Sequence, residues 1–416
     1  MAEGTDKPLV VIGAGAVGVA TALYLQRDGL PVTIVDPRGP GEGTSRGNAS
    51  IIAVESCVPV ATPGIARAVP GMLLDPLGPL AIRWSYLPRL TPWLWQFIRA
   101  SAPDRVEAIS IALRAILAQA IPCWEPLLAA AGIADMLRRN GMLLVFESEA
   151  KFAAMQPILE LQRRRGTVFD IVAPEELRQL EPTLQPIFRH AVLYREVGHT
   201  LDNFRLVQLL AESFRRRGGT ILQASAQGFT AGPEGVRQVI TEAGALDCRG
   251  VVVAAGAWSR RLARELGSAV PLDTERGYHV MLPEPGIMPR RPIYSAEGSF
   301  VATPLEHGLR LAGTVELGGL AAPPNYARAD ILLRHGRRIF GPLNEAGRSN
   351  WMGFRPSLPD SLPVIGPAAR HRNAWLAFGH GHLGLTLAAV TGRLVADLVA
   401  GRPPLADPAP YRAGRF

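Results

Sequence analysis

The sequence predicts an α/β domain interleaved with an α+β domain whose sheet is mostly antiparallel. Short apolar runs, typical of buried parallel strands, recur near the beginning, middle and end of the chain. Between these runs, other segments alternate apolar and polar residues, as antiparallel strands do. The chain has 416 residues, of which 48% are hydrophobic and 19% charged. It is therefore long enough for two or three globular domains.

The N-terminal segment, residues 8–36, shows a strand, a glycine-rich turn, a helix and a second strand in that order. The apolar run PLVVIG precedes the helical AVGVATALYLQRDG, which ends at Gly29, and the strand PVTIVD follows. Gly13, Gly15 and Gly18 form a GxGxxG pattern at the turn. The first glycine allows the tight turn, the second lets the backbone approach a pyrophosphate, and the third lets helix and strand pack closely. The segment therefore predicts a Rossmann-type dinucleotide-binding unit.

The same unit indicates which dinucleotide is bound. The helix begins at Ala16 and Val17, where unpaired N–H groups and a partial positive charge favour phosphates. Asp36, followed by Pro37, ends the second strand, where an acid can hydrogen-bond a ribose hydroxyl and disfavours a 2′-phosphate. FAD and NAD both satisfy these features. The strand-like VVVAAGAWS near residue 251 and a glycine-rich strand–loop–helix at the end of the chain supply the extra wall that an extended FAD needs, so FAD is favoured.

The interleaving of the two patterns predicts that both domains are discontinuous. A long helix is expected over residues 104–131, broken or kinked at Pro122, and antiparallel strands are expected over residues 270–315. The Rossmann-type FAD-binding domain is assigned residues 1–80, 196–265 and 350–416, and the substrate-binding domain residues 81–195 and 266–349.

The charge and cysteine content limit the partners. A net charge of +8 suits nucleic acid, an anionic membrane or acidic substrates. The chain has no basic run interleaved with aromatics of the kind that binds single-stranded nucleic acid, so we expect no nucleic-acid partner. Cys57, Cys123 and Cys248 match no zinc pattern, so we expect no metal site and a reducing, cytoplasmic location.

The sequence shows no signal peptide and no uninterrupted apolar stretch of roughly 18–20 residues, so we expect a soluble protein, at most attached to a membrane face. Residues 81–99 suit peripheral contact with the inner face of the bacterial membrane, because aromatic residues lie among arginines there. The alternative is a substrate-domain helix with buried tryptophans. The residues concerned are Trp84, Tyr86, Trp93, Trp95 and Phe97 with Arg83, Arg89 and Arg99.

Four motifs together make the chain similar to a known family over nearly its whole length. They are VVIGAGAVGVATALYLQRDGLPVTIVD, GTSRGNASIIAVESCVPVATPG, GFRPSLPDSLPVIG and FGHGHLGLTLAAVTGRLVADLV. In order and spacing they resemble the D-amino-acid oxidase-like FAD-dependent oxidoreductases, and most of all the bacterial D-amino acid dehydrogenases. The run GNASII departs from the usual run of these dehydrogenases, which bears on the electron acceptor and the substrate.

The resemblance implies which further residues contact FAD. The loop after the second strand should lie along the flavin, and a closing loop should lead to a helix whose N-terminus stabilises negative charge there. The first loop contributes Thr44, Ser45, Asn48, Ala49, Ser50 and Ile51. The middle of the chain contributes Ala255, Gly256 and Trp258, and Gly353 comes from the GFRPSLPD motif. The closing loop contributes Gly379, His380, Gly381, His382, Leu383 and Gly384.

The resemblance also implies three catalytic residues. Arg355 matches the family arginine that holds the substrate carboxylate, and a planar guanidinium can do so through two charge-assisted bonds. The alternative is a structural arginine paired with Asp360. Tyr278 falls where relatives place an aromatic or hydroxyl group over the substrate, or it is an ordinary strand residue. His279, next to it, would point to the opposite face of the sheet.

The implied reaction is FAD-dependent oxidative deamination of a small D-amino acid, with D-proline and hydroxyproline types as candidates. A hydride would pass from Cα to flavin N5, the imine would hydrolyse to a keto acid, and the electrons would go to a quinone or another acceptor. Two alternatives stay open. One is an amine oxidase of the glycine/sarcosine type that releases hydrogen peroxide, and the other is a flavin-bearing subunit of a multi-subunit dehydrogenase.

Overall fold

The structure is a computed structural model that describes residues 7–75 and 78–416. Its helices are α1 (Ala16–Arg27), α2 (Ile65–Leu74), α3 (Leu87–Ala100), α4 (Pro103–Leu117), α5 (Ala120–Ala131), α6 (Glu149–Arg164), α7 (Pro174–Leu180), α8 (Asn203–Arg216), α9 (Ser259–Glu265), α10 (Ala327–Phe340) and α11 (Gly384–Val399). Single 3₁₀ turns at Thr44–Arg46, Gly256–Trp258 and Gly381–Leu383 also matter below.

The strands of the described residues fall into four sheets. They are β1 (Leu9–Ile12), β2 (Val32–Asp36), β3 (Ile51–Ile52), β4 (Leu80–Ile82), β5 (Leu137–Arg138), β6 (Met142–Phe146), β7 (Asp170–Val172), β8 (His190–Tyr194), β9 (Gly198–Thr200), β10 (Thr220–Gln223), β11 (Ala226–Gly232), β12 (Gly235–Thr241), β13 (Gly244–Asp247), β14 (Gly250–Val253), β15 (Asp273–Leu282), β16 (Ile293–Ser295), β17 (Phe300–Leu305), β18 (Gly308–Leu317), β19 (Ser349–Ser357), β20 (Val364–Pro367) and β21 (Ala374–Phe378).

A six-stranded sheet forms the nucleotide-binding half, in the order β10-β2-β1-β14-β21-β20. All its pairs are parallel except that of β20 with β21. Strand β1 lies between β2 and β14, so the chain leaves β1 towards one neighbour and later returns to the other. Such a switch point opens a crevice at the carboxyl ends of the strands, where ligands bind in α/β folds. The predicted Rossmann-type sheet is confirmed.

A nine-stranded sheet forms the second half, in the order β19-β15-β18-β17-β16-β6-β8-β7 with β4 added beside β18. Only the β16–β6 and β18–β4 pairs are parallel, so the predicted mostly antiparallel sheet is confirmed. Strand β19 belongs to this sheet, although most of it lies in the range 350–416 that we assign to the FAD-binding domain. The exact domain boundaries stay a prediction.

Helices α1 and α11 pack closely against each other beside the six-stranded sheet. A Cβ atom at Gly392 would lie 2.8 Å from the carbonyl carbon and oxygen of Ala20, so the glycine allows the two backbones to approach. The expected helix over 104–131 is two helices, α4 and α5, with a break at 118–119. Pro122 falls in the first turn of α5, where proline is tolerated, so the break comes before it.

Two helical stretches are strongly apolar, although charged residues interrupt both of them. Pro103–Ala131 and Gly381–Val399 have the length and composition to cross a membrane. Their most apolar windows are 56% and 72% buried inside the protein, respectively. Burial of these helices in the core accounts for their apolar composition.

The glycine-rich turn is set by contacts too close for any side chain. Gly13 has φ +113°, and a Cβ there would lie 2.4 Å from the carbonyl oxygen of Ala254, which follows β14. A Cβ at Gly18 would lie 1.9 Å from the carbonyl oxygen of Gly13. The first glycine therefore supplies the backbone conformation and the approach to β14, and the third lets α1 pack on the turn.

Replacing Gly18 with alanine should push α1 away from the turn. We expect Gly18→Ala to lower the free energy of unfolding by about 1–3 kcal/mol, as overpacking does, and to lower the flavin content of the purified protein. Chemical denaturation and absorbance at 450 nm measure the two effects. Gly71→Ala is the matched control, since a Cβ there meets nothing within 4 Å. Equal stability of the two variants would contradict the packing argument.

Candidate active site

A continuous cavity of about 2140 Å³ runs from the glycine-rich turn to the nine-stranded sheet. Pockets for drug-sized ligands measure roughly 300–1,000 Å³, so this cavity has room for an extended cofactor and a substrate together. It begins at the carboxyl ends of β1 and β2, with Ile12, Val35 and Asp36, and reaches Arg355 on β19. The cavity therefore crosses from one sheet to the other.

The structure brings most of the residues predicted from the sequence to this cavity. Those that line it are Gly13, Gly15, Ala16, Val17, Asp36, Pro37, Thr44, Ser45, Asn48, Ala49, Ile51, Ala255, Gly256, Trp258, Tyr278, Gly353, Arg355, His380, Gly381, His382 and Gly384. Those that lie behind the lining are Gly18, Ser50, His279, Gly379 and Leu383.

The nucleotide end of the cavity fits an extended dinucleotide. A Cβ at Gly15 would lie 3.3 Å from the hydroxyl of Ser45, and that hydroxyl accepts a hydrogen bond of 2.9 Å from the N–H of Ala16 at the start of α1. The bare backbone of the turn thus faces the cavity, as a pyrophosphate site requires. Asp36 accepts three backbone N–H bonds of 2.8–3.1 Å, from Ala14, Arg38 and Gly39. A carboxylate accepts about four, so one position is left for a ribose hydroxyl.

A buried polar network fixes the loop after β2. Arg310, on β18, donates to the carbonyl oxygen of Asn48 at 2.7 Å and to the amide oxygen of Asn203 at 2.6 Å. Ser50, which has φ +61° and is fully buried, donates to the same amide oxygen at 2.5 Å. The amide nitrogen of Asn203 donates to the carbonyl oxygen of Ser45. Burial lowers the pKa of Arg310 to about 10. Sequence reasoning missed Arg310 and Asn203, because both are distant from the loop along the chain.

Strand β19 contacts the cofactor end of the cavity at three places. The hydroxyl of Thr44 donates to the carbonyl oxygen of Phe354 at 2.8 Å. The ring of Trp258 meets that of Phe354 edge-on, with centroids 5.6 Å apart. A Cβ at Gly381 would lie 3.9 Å from the hydroxyl of Ser357. Strand β19, which carries Arg355, is therefore held against three turns of the nucleotide-binding half.

The guanidinium of Arg355 lies inside the protein and faces the cavity. Its Nη1 donates to the carbonyl oxygen of Thr314 at 3.0 Å, and a Cβ at Gly277 would lie 2.4 Å from its Nη2. Burial lowers the pKa of Arg355, and Glu275 opposes this shift. The side chain is half-buried by surface area, and it lines the cavity. Asp360 is paired with Arg415 at 2.7 Å, so the structural alternative for Arg355 is wrong.

Tyr278 and His279 are both occupied by the protein itself. Tyr278 borders the cavity, but it is 1% exposed, and its hydroxyl donates to Glu316 and accepts the N–H of Asn325 at 2.9 Å. His279 lies 2.8 Å, through Nδ1, from the carbonyl oxygen of Gly47. Burial lowers the pKa of His279 to about 3. These contacts favour the interpretation of Tyr278 as an ordinary strand residue. They give His279 a role in holding the loop after β2, through Gly47.

The two histidines of the closing loop differ in their surroundings. His380 is 3% exposed and lies 2.9 Å from the hydroxyl of Thr391 on α11, so it packs the loop against the helix. His382 faces the cavity. Burial, with a smaller contribution from the positive charge of Arg355, lowers the pKa of His382 to about 4. His382 is thus neutral at pH 7.

Three further polar residues line the cavity, two of them near Arg355, and sequence reasoning missed all three. Tyr294, on β16, has a pKa raised by burial and interacts electrostatically with both Arg355 and Glu55. Glu55 has a pKa raised by burial to about 7. Glu275, on β15, also has a pKa raised by burial. No motif marks these residues, since each follows an unremarkable strand or loop pattern.

The chain matches known proteins over its full length. A family model described as FAD dependent oxidoreductase, DAO, matches residues 8–398. A D-amino-acid oxidase of Bradyrhizobium diazoefficiens is 41% identical over 423 residues, which cover 100% of both chains. A D-amino acid dehydrogenase of Paramagnetospirillum magneticum is 33% identical over 95% of both chains.

Solved structures share the fold at lower sequence identity. A glycine oxidase from Bacillus cereus has a TM-score of 0.71 and 19% identity, covering 95% of both chains. An L-proline dehydrogenase from P. horikoshii has a TM-score of 0.74 and 19% identity, covering 99% of this chain and 98% of the other. With the cavity geometry and the family match over residues 8–398, these findings show that the chain belongs to the DAO family of FAD-dependent oxidoreductases and uses FAD as its cofactor.

Proposed function

We propose that the protein oxidises a D-amino acid to its imino acid, which water hydrolyses to a 2-oxo acid. The observation that carries the proposal is the guanidinium of Arg355, which faces the interior cavity and is tied to the carbonyl oxygen of Thr314 at 3.0 Å. The 41% identical relative named D-amino-acid oxidase supports the D configuration.

Arg355 binds and orients the substrate in this proposal. One side of its guanidinium is held by Thr314, and the remaining N–H groups can take the carboxylate through charge-assisted bonds. A carboxylate fixed in this way sets which face of the α-carbon is presented. When bound, FAD accepts the two electrons and the hydrogen that leave Cα. His382 and Tyr294 line the cavity near Arg355 and are uncharged at pH 7. They therefore do not neutralise the positive charge of Arg355.

The chamber beyond Tyr294 indicates the kind of side chain that the substrate carries. Its walls include the apolar side chains of Met142, Leu144, Met155 and Ile158, with Glu55, Gln162 and Tyr194 as polar members. Burial raises the pKa of Glu55 to about 7, so this carboxyl carries less negative charge at neutral pH than an exposed glutamate would. A small apolar side chain, such as the ring of D-proline or a hydroxyproline, therefore suits the chamber better than a charged one.

Two other functions use the same cavity. An amine oxidase of the glycine/sarcosine type would release hydrogen peroxide, and the glycine oxidase fold match agrees with that alternative. A flavin-bearing subunit of a larger dehydrogenase would bind FAD without turnover of its own. We favour a dehydrogenase that passes its electrons to a quinone, because the cavity opens beside an aromatic and basic surface described below.

Anaerobic mixing of the purified holoenzyme with D-amino acids tests the proposed function. We expect bleaching of the flavin absorbance at 450 nm with small apolar D-amino acids, D-proline and D-hydroxyproline among them, and no bleaching with their L-enantiomers. A quinone analogue should then restore the colour faster than air. A flavin that no amino acid reduces would reject the proposal, and stoichiometric peroxide under air would favour the oxidase.

Replacing Arg355 with lysine should separate substrate binding from cofactor binding. Lysine keeps the charge but loses the planar fork, so we expect Arg355→Lys to lower kcat/KM by about 100-fold, within the range for charged hydrogen bonds, with unchanged flavin content. Steady-state kinetics and the flavin spectrum measure these quantities. Arg348→Lys, on an arginine paired with Glu345 at 2.9 Å outside the cavity, is the control. Parallel loss in both variants would contradict the role of Arg355.

We further propose that residues 81–99 dock the protein on the inner face of an anionic membrane in the cytoplasm. Trp84 and Trp95 are 69% and 58% exposed, and the guanidinium of Arg99 lies 4.6 Å from the ring centre of Trp95. Trp93, by contrast, is buried and stacks on Phe97. The buried-tryptophan alternative therefore holds for one face of α3, and the other face presents aromatic and basic groups.

The same surface borders the cavity, which supports transfer of electrons to a lipid-soluble acceptor. Arg83, Tyr86 and Arg89 belong to residues 81–99 and line the cavity. A membrane quinone that enters from this side would reach the cavity without crossing water. The aromatic groups suit the acyl boundary, and the arginines suit anionic headgroups.

Co-sedimentation with lipid vesicles tests the docking surface. We expect binding to vesicles that contain anionic phosphatidylglycerol and little binding to pure phosphatidylcholine. The double variant Trp84→Ala/Trp95→Ala should lose most of this binding, since it removes the exposed aromatic area. Ile171→Ala shortens a 53% exposed side chain on strand β7, outside residues 81–99, and this variant should bind vesicles as the wild type does. Binding that ignores both anionic lipid and the tryptophans would count against docking.

A further inference from the structure

Glu275 and Arg355 are neighbours on one face of the nine-stranded sheet. They lie directly opposite each other in the antiparallel pairing of β15 with β19, and both line the cavity. Residues opposite each other in such a pair project to the same side of the sheet. The guanidinium of Arg355 extends over Gly277, two residues along β15 from Glu275. A carboxylate and a guanidinium therefore face the same part of the cavity.

The carboxyl of Glu275 and the guanidinium of Arg355 do not form a direct ion pair in the described structure. Among residues 7–75 and 78–416, no ion pair within 4.0 Å joins Glu275 to Arg355. The carboxyl of Glu275 interacts with the hydroxyl of Ser357, and Arg355 donates to the carbonyl oxygen of Thr314. Burial raises the pKa of Glu275 and lowers that of Arg355, so each group lacks part of the compensation that water would supply.

Two of the three other acids that line the described cavity are hydrogen-bonded elsewhere. Asp36 accepts three backbone N–H bonds at the nucleotide end. Asp273 accepts the hydroxyl of Tyr86 at 3.0 Å. Glu55 also lines the cavity, but Glu275 is the acid whose charge acts on Arg355. Glu275 is thus the acid that the cavity leaves open beside Arg355.

We propose that Glu275 binds the amino group of the substrate while Arg355 binds its carboxylate. An α-amino acid carries its ammonium and carboxylate on one carbon, so a neighbouring anion and cation match it in both charge and spacing. A 2-hydroxy acid or a 2-oxo acid has no cation to offer, and its carboxylate is repelled by Glu275. The pair therefore selects amino acids against their hydroxy and oxo counterparts, which include the reaction product. The inference rests on the proposed oxidation of an amino acid.

The variant Glu275→Gln tests this assignment on the holoenzyme. The probes are the D-amino acid that reduces the wild-type flavin fastest and the 2-hydroxy acid with the same side chain. The dissociation constant of the hydroxy acid comes from titration of the flavin spectrum, and kcat/KM of the amino acid from steady-state kinetics. We expect kcat/KM for the amino acid to fall about 10–100-fold, as for loss of a charged hydrogen bond. The hydroxy acid should bind as well as to the wild type or more tightly.

Two further variants separate this role from a structural one. Glu275→Asp keeps the charge and should retain a preference for the amino acid. Asp273→Asn removes a nearby carboxylate that is already bonded to Tyr86 and should leave the ratio of the two affinities as in the wild type.

Three results would overturn the assignment. They are an unchanged ratio of affinities in Glu275→Gln, an equal weakening of both ligands, and a loss confined to amino acids with cationic side chains. Failure of the wild type to be reduced by any amino acid would instead reject the proposed function, and the assignment with it.

Discussion

The attachment of strand β19 to the nucleotide-binding half of the protein is the constraint on which the geometry of the candidate active site depends. Thr44 bonds to the backbone of β19, Trp258 packs on Phe354, and Gly381 approaches Ser357. These contacts come from three turns that are far apart along the chain. They hold the end of β19, and with it Arg355, at a defined place relative to the glycine-rich turn. Positioning of this kind supplies much of the rate in reactions whose chemistry a cofactor performs.

Burial then decides the charge state of the groups around that strand. His382 is uncharged at neutral pH because the cavity walls exclude water and Arg355 adds a positive charge. Tyr294 is uncharged at neutral pH in any surroundings, and burial raises its pKa further. Arg355 keeps its charge since a guanidinium does not lose its proton in proteins. The result is a permanent cation in a poorly solvated space, where an anionic group of a ligand gains more than it would in water.

The sequence alone supported the fold class and the nucleotide end of the cavity. GxGxxG after a strand, with Asp36 at the end of the next strand, is a local pattern, and local backbone geometry is decided within a few residues. The rest of the chain was harder to predict from sequence patterns. The expected helix over 104–131 is two helices, and this stretch and Gly381–Val399 have the length and composition to cross a membrane while lying largely in the core. Their packing partners, not their composition, decide that outcome.

Sequence by itself determined the βαβ turn, the alternation of the antiparallel strands and, through resemblance, the choice of Arg355. Only the tertiary structure decided what surrounds that arginine. The pairing of Glu275 with Arg355 depends on the register of β15 against β19, and these strands are about 80 residues apart in the sequence, so no local periodicity encodes it. The same holds for Arg310 and Asn203, which meet the loop at Asn48 and Ser45 only after folding. Side-chain chemistry is written in the sequence, but distances between remote side chains are set by packing.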